Sequence, residues 1–377
     1  MEQHKMVDLH SQYLRLKSDI DKAMADVLEQ TSFINGPAVK VFQSNLEKYL
    51  NVKHVIPCAN GTDALQIALM ALNLQPGDEV ITSTFTFIAT VEVIALLKLK
   101  PVLVDVEPDT FTLLPEEVEK AITPMTKAII PVHLFGQGAD MNAIMSIAKK
   151  HHLKVVEDTA QAIGCDYNVN GSTTKLGTIG DIGCTSFFPS KNLGCFGDGG
   201  ACFTNNDSLA EKMRMIVNHG SQKKYYHQII GVNSRLDTLQ AAVLDVKLKH
   251  LDDFNNRRKT AAKWYDEELK EIDNLVIPTR SSDSDHIFHQ YTIKVKNGER
   301  DKLQNFLKEN NIPSMVYYPV PLHQQEAFAA YQDSDSSLPN SEDLSTQVLS
   351  LPMHTELSEE QLKDITSTIK RFFNHGQ

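Results

Sequence analysis

The chain has 377 residues, 41% of them hydrophobic and 23% charged, and this composition is typical of a soluble globular protein with two or more domains. Its 37 Lys and Arg and 48 Asp and Glu leave a net charge of −11, which argues against a general nucleic-acid or anionic-membrane surface. Residues 91–106, the best apolar run, are interrupted by Lys98, Lys100 and Pro101, and the N-terminal residues lack the apolar core of a secretory signal; we therefore expect a cytoplasmic protein with no membrane partner.

From about residue 55, short apolar runs alternate with amphipathic runs of helical length. The predicted strands are residues 80–84, 101–106, 128–132, 153–157, 185–188 and 201–204, and the predicted helices between them include residues 62–72, 88–97 and 140–149. This alternation is typical of βαβ units around a mostly parallel sheet in an α/β protein. Ligands of such sheets bind at the carboxyl ends of the strands, so polar residues that follow the apolar runs are the candidates for function.

The C-terminal part of the chain has a different pattern. Apolar residues near helical spacing, from Leu236 to Leu251, indicate a long helical stretch that bridges to a second unit. That unit is predicted to contain a strand at 289–295, a helix at 299–310, a strand at 313–318 and a final helix that opens with the capping pattern Ser358-x-x-Gln361. We expect a large domain over residues 1–250 and a smaller α+β domain over residues 251–377.

Three segments in the predicted large domain contain residues that could bind a ligand or take part in catalysis. Residues 59–64 form a glycine turn before an apolar helix, whose free N–H groups and Thr62 hydroxyl could hold a phosphate, although an ordinary capped turn looks the same. Asp158 ends an apolar strand, where a carboxylate is either a helix cap or a charge directed into a site. Lys191 follows another strand among hydroxyls and glycines, an environment that suits a ligand better than simple solvation.

The three segments together predict one site. A lysine, a carboxylate and a phosphate cradle at the carboxyl ends of successive strands are what pyridoxal 5′-phosphate (PLP) requires. The lysine forms the Schiff base, the carboxylate keeps the pyridine nitrogen protonated, and the N–H groups and hydroxyls bind the phosphate. The combination is much more specific than any one of its members.

The chain resembles the DegT/DnrJ/EryC1 family of nucleotide-sugar aminotransferases over nearly its whole length. The segments that carry the resemblance are residues 59–64, 157–164, 186–200 and 231–237, of which the run Ser-Phe-Phe-Pro-Ser-Lys-x-Leu-Gly-Cys-x-Gly-Asp-Gly-Gly is highly specific. The resemblance implies the aspartate-aminotransferase (type I PLP) fold, with a mostly parallel sheet in the large domain. It also implies a homodimer with active sites at the subunit interface, and L-glutamate as the amino donor, which leaves as 2-oxoglutarate.

The resemblance also implies roles for individual residues. Lys191 would form the Schiff base and then move the proton, Asp158 would pair with the pyridinium nitrogen, and Gln161 would bond the ring hydroxyl. Phe87 would stack on the cofactor ring, although its spacing alone favours a core residue before a helix. The phosphate would be held by Gly61, Thr62 and Ser186, together with Asn233 of the partner subunit.

The arginines bear on the substrate. The chain has eight, none between Arg15 and Arg214 and none between Arg300 and Arg371, so it offers no obvious C-terminal clamp for an amino-acid carboxylate. Arg235 is the only one within a recognised motif. It suits an enzyme whose second substrate is a keto sugar, but it could also pair structurally with Asp237.

Within the family, the chain is most similar to members that aminate C3 of UDP-2-acetamido-2-deoxy-3-keto-glucuronate. By that resemblance the sugar pocket would be lined by Phe33, Ser190, Arg235, Tyr317 and Tyr318. Relatives often have Tyr in place of Phe33 and His in place of Tyr317, and each change alters a hydrogen-bond donor. A dTDP-3-keto-6-deoxyhexose is therefore kept as the alternative substrate.

Other functional classes are less consistent with the sequence. A non-transaminating sugar dehydratase of this family would carry His in place of Lys191. A non-catalytic PLP-binding regulator would need an additional DNA-binding domain, for which the acidic chain has no spare segment. A zinc hydrolase is disfavoured because His133, His219, His289 and His323 lack ligand spacing. The five cysteines contain no CxxC pair, so we expect buried thiols and no metal site.

Overall fold

A computed structural model describes residues 4–331 and 337–374 of the chain. Its helices are α1 (Leu9–Gln30), α2 (Pro37–Leu50), α3 (Gly61–Ala71), α4 (Ala89–Leu96), α5 (Pro115–Lys120), α6 (Met141–His151), α7 (Asp207–Ile216), α8 (Thr238–Leu248), α9 (Leu251–Leu269), α10 (Arg300–Glu309), α11 (Pro339–Gln347) and α12 (Glu359–Asn374). In this part of the chain, no helix is long and apolar enough to cross a membrane.

The strands form one large sheet and three small ones. They are β1 (His54–Cys58), β2 (Glu79–Ser83), β3 (Lys100–Val104), β4 (Thr126–Ile130), β5 (Lys154–Asp158), β6 (Asp166–Val169), β7 (Ser172–Lys175), β8 (Ile182–Ser186), β9 (Gly200–Thr204), β10 (Ser221–Lys223), β11 (Tyr226–His227), β12 (Leu275–Val276), β13 (Tyr291–Val295) and β14 (Val348–Leu351). The six strands predicted for the large domain all exist, within a few residues of their expected bounds.

The large sheet has the strand order β1-β9-β8-β5-β4-β2-β3. Its strands run parallel except for β9, which is antiparallel to both β1 and β8. Successive residues of one strand point to opposite faces, so Val155 packs under α6 while Val156 packs under α3. Helices cover both faces, as a parallel sheet requires, and the mostly parallel α/β architecture predicted from the alternating pattern is confirmed.

A second core lies in the C-terminal part of the chain. The antiparallel strands β12, β13 and β14 pack against α10, α12 and the second half of α9, through residues such as Tyr265, Leu307 and Ile369. The first residue of α9, Leu251, packs in a large-domain core instead, so this helix contributes to both cores. The domain boundary near residue 250 stays a prediction, and it falls between α8 and α9.

Two details of the C-terminal predictions have clear outcomes. The capping pattern is confirmed, because Ser358 N donates to Gln361 Oε1 at 3.0 Å and Gln361 N donates to Ser358 Oγ at 3.2 Å. The predicted strand at 313–318 is wrong. Only Met315 bridges to β14, through Ser350, and the two tyrosines that follow turn away to line a cleft.

The sheet topology brings the three chemical segments to one edge. Strands β1, β5 and β8 run in the same direction, so the residues that follow Cys58, Asp158 and Ser186 lie at their shared carboxyl ends. The five cysteines are free and buried, as expected, and three of them lie in these strands or in β9 beside them. Among the described residues, no group of three or more His, Cys, Asp or Glu side chains is arranged to hold a metal ion.

Candidate active site

A cleft of about 760 Å³ opens at the carboxyl ends of the parallel strands. It brings together most of the residues singled out from the sequence, which are Gly61, Thr62, Phe87, Asp158, Gln161, Ser186, Ser190, Lys191, Tyr317 and Tyr318. They come from both parts of the chain, because the two tyrosines belong to the C-terminal part. The arrangement is that of a pocket with a few convergent polar groups.

The start of α3 forms one wall of the cleft. Asn60 caps this helix: its side chain accepts a hydrogen bond from Asp63 N at 2.8 Å and its carbonyl accepts from Ala64 N at 3.1 Å. The N–H groups of Gly61 and Thr62 have no acceptor among the described residues. They therefore offer two open donors at the positive end of a helix dipole, where an anion binds favourably.

Glycine is required at position 61 because the chain approaches β8 closely there. A Cβ at this position would lie 2.7 Å from Ser186 Cβ, a separation at which one of the two segments has to shift. The Ser186 hydroxyl accepts from Phe188 N at 3.2 Å and faces the same cleft. The close approach thus places two N–H donors and a hydroxyl around one point.

Lys191 lies on a tight loop that follows β8. The loop is held by the hydrogen bond from Lys191 N to Phe188 O at 2.8 Å, and at Gly194 a Cβ would lie 2.3 Å from Pro189 O. The Lys191 ammonium pairs with no described residue. Burial lowers the pKa of Lys191 to about 8, and the nearby charge of Asp158 acts in the opposite direction. A fair fraction of this amine is therefore neutral near physiological pH.

Asp158 is buried at the end of β5 and is held from two sides. Its Oδ2 accepts a hydrogen bond from the Thr90 hydroxyl at 2.9 Å, and its Oδ1 accepts from Ala160 N at 3.1 Å. The two bonds fix the orientation of the carboxyl group. Asp158 lines the cleft, so its remaining acceptor capacity is available to a cationic N–H group of a ligand.

Gln161 forms hydrogen bonds with Phe135 and with Tyr318 of the C-terminal part of the chain. Its Oε1 accepts from Phe135 N at 2.7 Å, which fixes the orientation of the amide, and its Nε2 donates to Tyr318 Oη at 3.3 Å. Burial raises the pKa of Tyr318, so this hydroxyl stays protonated. The amide donor of Gln161 is therefore directed into the cleft beside a neutral phenol.

Phe87 is not a core residue. Its side chain is 55% exposed although it lies between the end of β2 and the start of α4, and it lines the cleft opposite the sheet edge. The interpretation as a core Phe before a helix, which its spacing favours, is therefore wrong. An exposed ring at the mouth of a cleft is free to stack on a planar ligand.

Three predicted residues lie outside the cleft of their own chain. Phe33 is 45% exposed and Asn233 is also exposed, and neither lines the cleft. Arg235 lines a separate cavity of about 350 Å³ together with Lys40 and Arg214. It forms no ion pair with a described residue, so the proposed structural pair with Asp237 is absent.

The sequence did not single out three residues that support or line the cleft. Thr90, which is buried behind the cleft, donates a hydrogen bond to Asp158, Phe135 N donates to Gln161, and His289 lines the cleft with Lys191. Thr90 lies in α4, on a different strand-helix unit from Asp158, so only the fold brings them together. The sequence raises His289 only as a possible zinc ligand, and no second zinc-ligating residue lies at the spacing that a zinc site requires.

Comparison with known proteins identifies close relatives. Residues 15–370 match the model of the DegT/DnrJ/EryC1/StrS aminotransferase family. A pleiotropic regulatory protein of Geobacillus stearothermophilus is 49% identical over 98% of both chains. A UDP-N-acetyl-3-dehydro-alpha-D-glucosamine 3-aminotransferase of Acidithiobacillus ferrooxidans is 45% identical over 98% of both chains, and a UDP-2-acetamido-2-deoxy-3-oxo-D-glucuronate aminotransferase of Pseudomonas aeruginosa is 45% identical over 97% of this chain and 99% of its own.

Solved structures give the same answer for the fold. The crystal structure of S. venezuelae DesV in complex with a ketimine intermediate superposes with a TM-score of 0.95, at 39% identity and 99% coverage of both chains. The structure of NtdA from Bacillus subtilis with bound cofactor PMP superposes with a TM-score of 0.89, at 34% identity over 96% of this chain and 82% of that one.

Proposed function

Because the chain belongs to the DegT/DnrJ/EryC1/StrS aminotransferase family, we propose that it uses PLP to transfer an amino group from L-glutamate to C3 of a UDP-linked 3-keto sugar. The observation that carries this proposal is the cleft itself. An unpaired, mostly buried lysine, a held carboxylate and two open helix N–H donors face one another at the carboxyl ends of the sheet.

The residues present fit PLP. The close approach of the chain at Gly61, together with the N–H groups of Gly61 and Thr62 that have no acceptor among the described residues, suits a phosphate. Asp158 suits a pyridinium N–H, and Lys191 suits a covalent attachment. Gln161 has a free amide proton for a ring hydroxyl, and Phe87 has an exposed ring for stacking. When bound, the cofactor supplies an electron sink for the carbanion left after removal of an α-proton.

The chain's own residues would prepare that chemistry. Asp158, which is oriented by hydrogen bonds from the Thr90 hydroxyl and Ala160 N, would pair with a positively charged nitrogen of the ligand. Lys191 can accept and return a proton near neutral pH because burial lowers its pKa to about 8. Tyr317 and Tyr318 close the cleft from the C-terminal part of the chain and reduce access of water.

The choice of a UDP-linked 3-keto sugar rests on two relatives at 45% identity, which are named for such substrates. Those two substrates differ in whether C6 is a carboxylate. We favour the uronate for this chain because Arg235, Arg214 and Lys40 surround one cavity whose lining contains no carboxylate. Arg235 forms no ion pair with a described residue and can form a two-donor contact with an anion.

A homodimer with shared active sites is part of the proposal. Phe33, Asn233 and Arg235 lie outside the cleft of their own chain, and a second copy would be needed to bring them to it. The hairpin of β10 and β11 exposes Tyr225, which is 81% accessible, and the segment after it exposes Ile230, which is 86% accessible. Apolar side chains this exposed are consistent with a surface that another copy covers.

The experiment that tests the substrate is a panel of keto sugars. We expect kcat/KM to be highest for the UDP-3-keto-uronate, lower for UDP-N-acetyl-3-dehydro-glucosamine, and lowest for a dTDP-3-keto-6-deoxyhexose, with glutamate as donor and the amino sugar detected by mass spectrometry. A preference for the dTDP sugar would replace the UDP assignment with the alternative. Failure of all three with a cofactor-loaded protein would favour a regulatory role, as in the name of the 49% identical relative.

Gly61→Ala is expected to weaken PLP binding by about tenfold or more. The added methyl group would clash with Ser186 where the phosphate would bind, and overpacking of this kind costs about 1–3 kcal/mol. The affinity is measured by titrating the cofactor-free protein with PLP and following its absorbance. Gly197→Ala is the matched control, since a Cβ there would meet only the flexible Gln240 side chain, at 3.1 Å. Equal affinities for Gly61→Ala and the unmodified protein would argue against a phosphate at the start of α3.

Arg235→Ala is expected to lower kcat/KM for the uronate by about thirtyfold or more, because a desolvated contact between charges is worth about 2–5 kcal/mol. The matching sugar without a C6 carboxylate should be affected much less. Arg257→Ala, which removes an exposed partner of Asp253, is the control. The glutamate step has to be measured separately by single turnover. An equal loss for both sugars would mean that Arg235 does not contact the uronate.

A further inference from the structure

A chain of buried amides leads from the main chain of the large domain to His289. Asn255 Nδ2 donates to Ile163 O at 3.4 Å, Asn192 Nδ2 donates to Asn255 Oδ1 at 2.7 Å, and His289 Nδ1 lies 3.2 Å from Asn192 Oδ1. The three side chains are between 2% and 5% exposed. Asn192 is the residue directly after Lys191, so the chain ends beside the lysine loop.

The direction of these hydrogen bonds is determined by the carbonyl groups at their ends. A backbone carbonyl can only accept, so Ile163 O requires the amide nitrogen of Asn255 on its side, and the Asn255 oxygen then faces Asn192. Asn192 Nδ2 also faces a second carbonyl, Ile287 O, at 3.4 Å. The oxygen of Asn192 is therefore the atom that faces His289, which makes His289 Nδ1 the donor and leaves Nε2 as an unprotonated acceptor.

The backbone around His289 keeps this side chain in place. Gln290 N donates to Phe135 O at 3.3 Å and Ile287 N donates to Gly136 O at 2.9 Å, which attaches the segment to the turn that also holds Gln161. On the other side, Arg258 donates to the carbonyl of His289 at 3.5 Å. The imidazole lines the cleft, and its Nε2 receives no hydrogen bond from a described residue.

The charges around His289 keep it neutral. Burial, the ammonium of Lys191 and the guanidinium of Arg258 all hold the pKa of His289 well below its usual range. The other titratable groups that line the cleft are Asp63, Asp158, Asp198, Tyr317 and Tyr318. Of these, Asp158 is the carboxylate whose charge acts on Lys191. A neutral imidazole with a bare Nε2 thus shares the cleft with an amine that has no hydrogen-bond partner among the described residues.

We propose that His289 is a positioning residue for Lys191: its Nε2 accepts a hydrogen bond from the Lys191 amine, and the Asn192–Asn255 pair keeps the imidazole in the tautomer that can accept. His289 Nε2 orients the Lys191 amine once this amine is released from a ligand. It also favours the protonated form of the amine over the neutral form. His289 therefore offsets part of the effect of burial on the lysine. The proposal rests on the proposed function only in taking Lys191 as the reactive lysine.

The test measures the Lys191 amine in the cofactor-free full chain. The rate of acetylation of Lys191 by acetic anhydride, followed by peptide mass spectrometry across pH, gives a midpoint that we expect near 8 in the unmodified protein. In His289→Phe the midpoint should fall by about one pH unit, so that labelling below the midpoint becomes about tenfold faster relative to its high-pH limit. His289→Gln, which retains an acceptor, should restore most of the shift.

His286→Phe is the matched control. His286 is another fully buried neutral histidine, three residues away, which stacks on Phe288 at 3.8 Å and does not line the cleft. Its replacement should leave the Lys191 midpoint unchanged. Coincident midpoints for His289→Phe and the unmodified protein, or equal shifts in both phenylalanine variants, would contradict the proposal. Because no cofactor or sugar is present, either result is independent of whether the substrate assignment is right.

A second measurement does not depend on how His289→Phe folds. Nitrogen-15 NMR of histidine-labelled protein distinguishes the two neutral tautomers by the chemical shifts of Nδ1 and Nε2. We expect a neutral histidine at pH 7 with the proton on Nδ1, and its signal should change in Asn192→Leu, which interrupts the amide chain. A proton on Nε2 of His289 would contradict the proposal directly.

Discussion

Lys191→Ala is expected to lower amino transfer by about a thousandfold or more and to remove covalent attachment of the cofactor, while the fold is retained. The physical reason is that no other lysine is found among the described residues that line the cleft, so no neighbouring amine can replace it. Sodium borohydride should fix the cofactor on the peptide that contains Lys191 in the unmodified protein and on no peptide of the variant. A reduced cofactor label on any other lysine would contradict the assignment.

The same substitution should alter stability in a pH-dependent way. The pKa of Lys191 is about 8 in the folded protein and about 10.4 in an unfolded chain, so between these values the unfolded state binds more protons. The unmodified protein therefore gains up to about 3 kcal/mol from this group as the pH rises through that window, and Lys191→Ala lacks this gain. Urea unfolding of cofactor-free protein at pH 7 and pH 10 should show the variant relatively more stable at pH 7. The cavity that alanine leaves contributes equally at both pH values and cancels.

Asp158→Asn is expected to slow the glutamate half-reaction by about a thousandfold, because a neutral amide cannot hold a proton on a ligand nitrogen. The reaction is followed by stopped-flow absorbance with L-glutamate and no sugar. Thr90→Val provides a graded comparison. It removes one hydrogen bond to the carboxylate, at 2.9 Å, and should cost about tenfold, while Thr90→Ser retains the hydroxyl and should be close to normal. A normal rate of the glutamate half-reaction in Asp158→Asn would contradict the proposed role of this carboxylate.

The fold could be predicted from the sequence wherever one physical rule dominated. Fully buried parallel strands appear as short continuous apolar runs, so β2 was expected at 80–84 and lies at Glu79–Ser83. The segment 313–318 also contains a short apolar run, but it is not a strand. Strand β14 has an open edge beside this segment, yet only Met315 bonds to it, and the two tyrosines that follow line the cleft instead.

The site was predictable to the extent that its residues lie directly after strands. Asp158 and Lys191 could be proposed from their position in the chain alone, because the sheet edge brings such residues together. Thr90 and His289 could not, since each reaches its partner only through tertiary contacts with another unit. Phe87 was misjudged because helical spacing does not reveal whether another element covers the ring. Phe33, Asn233 and Arg235 lie outside the cleft of their own chain, and their roles stay predictions.

We propose that this cleft transfers the amino group of glutamate to a nucleotide-linked keto sugar through a group held by Lys191. The most direct test incubates the PLP-loaded protein with nitrogen-15-labelled L-glutamate and the UDP-3-keto-uronate, and analyses the sugar by mass spectrometry. We expect one nitrogen-15 atom in each amino sugar and one molecule of 2-oxoglutarate for each amino sugar formed. Neither product should form in Lys191→Ala. Formation of 2-oxoglutarate without labelled amino sugar, from this or any other nucleotide keto sugar, would contradict it.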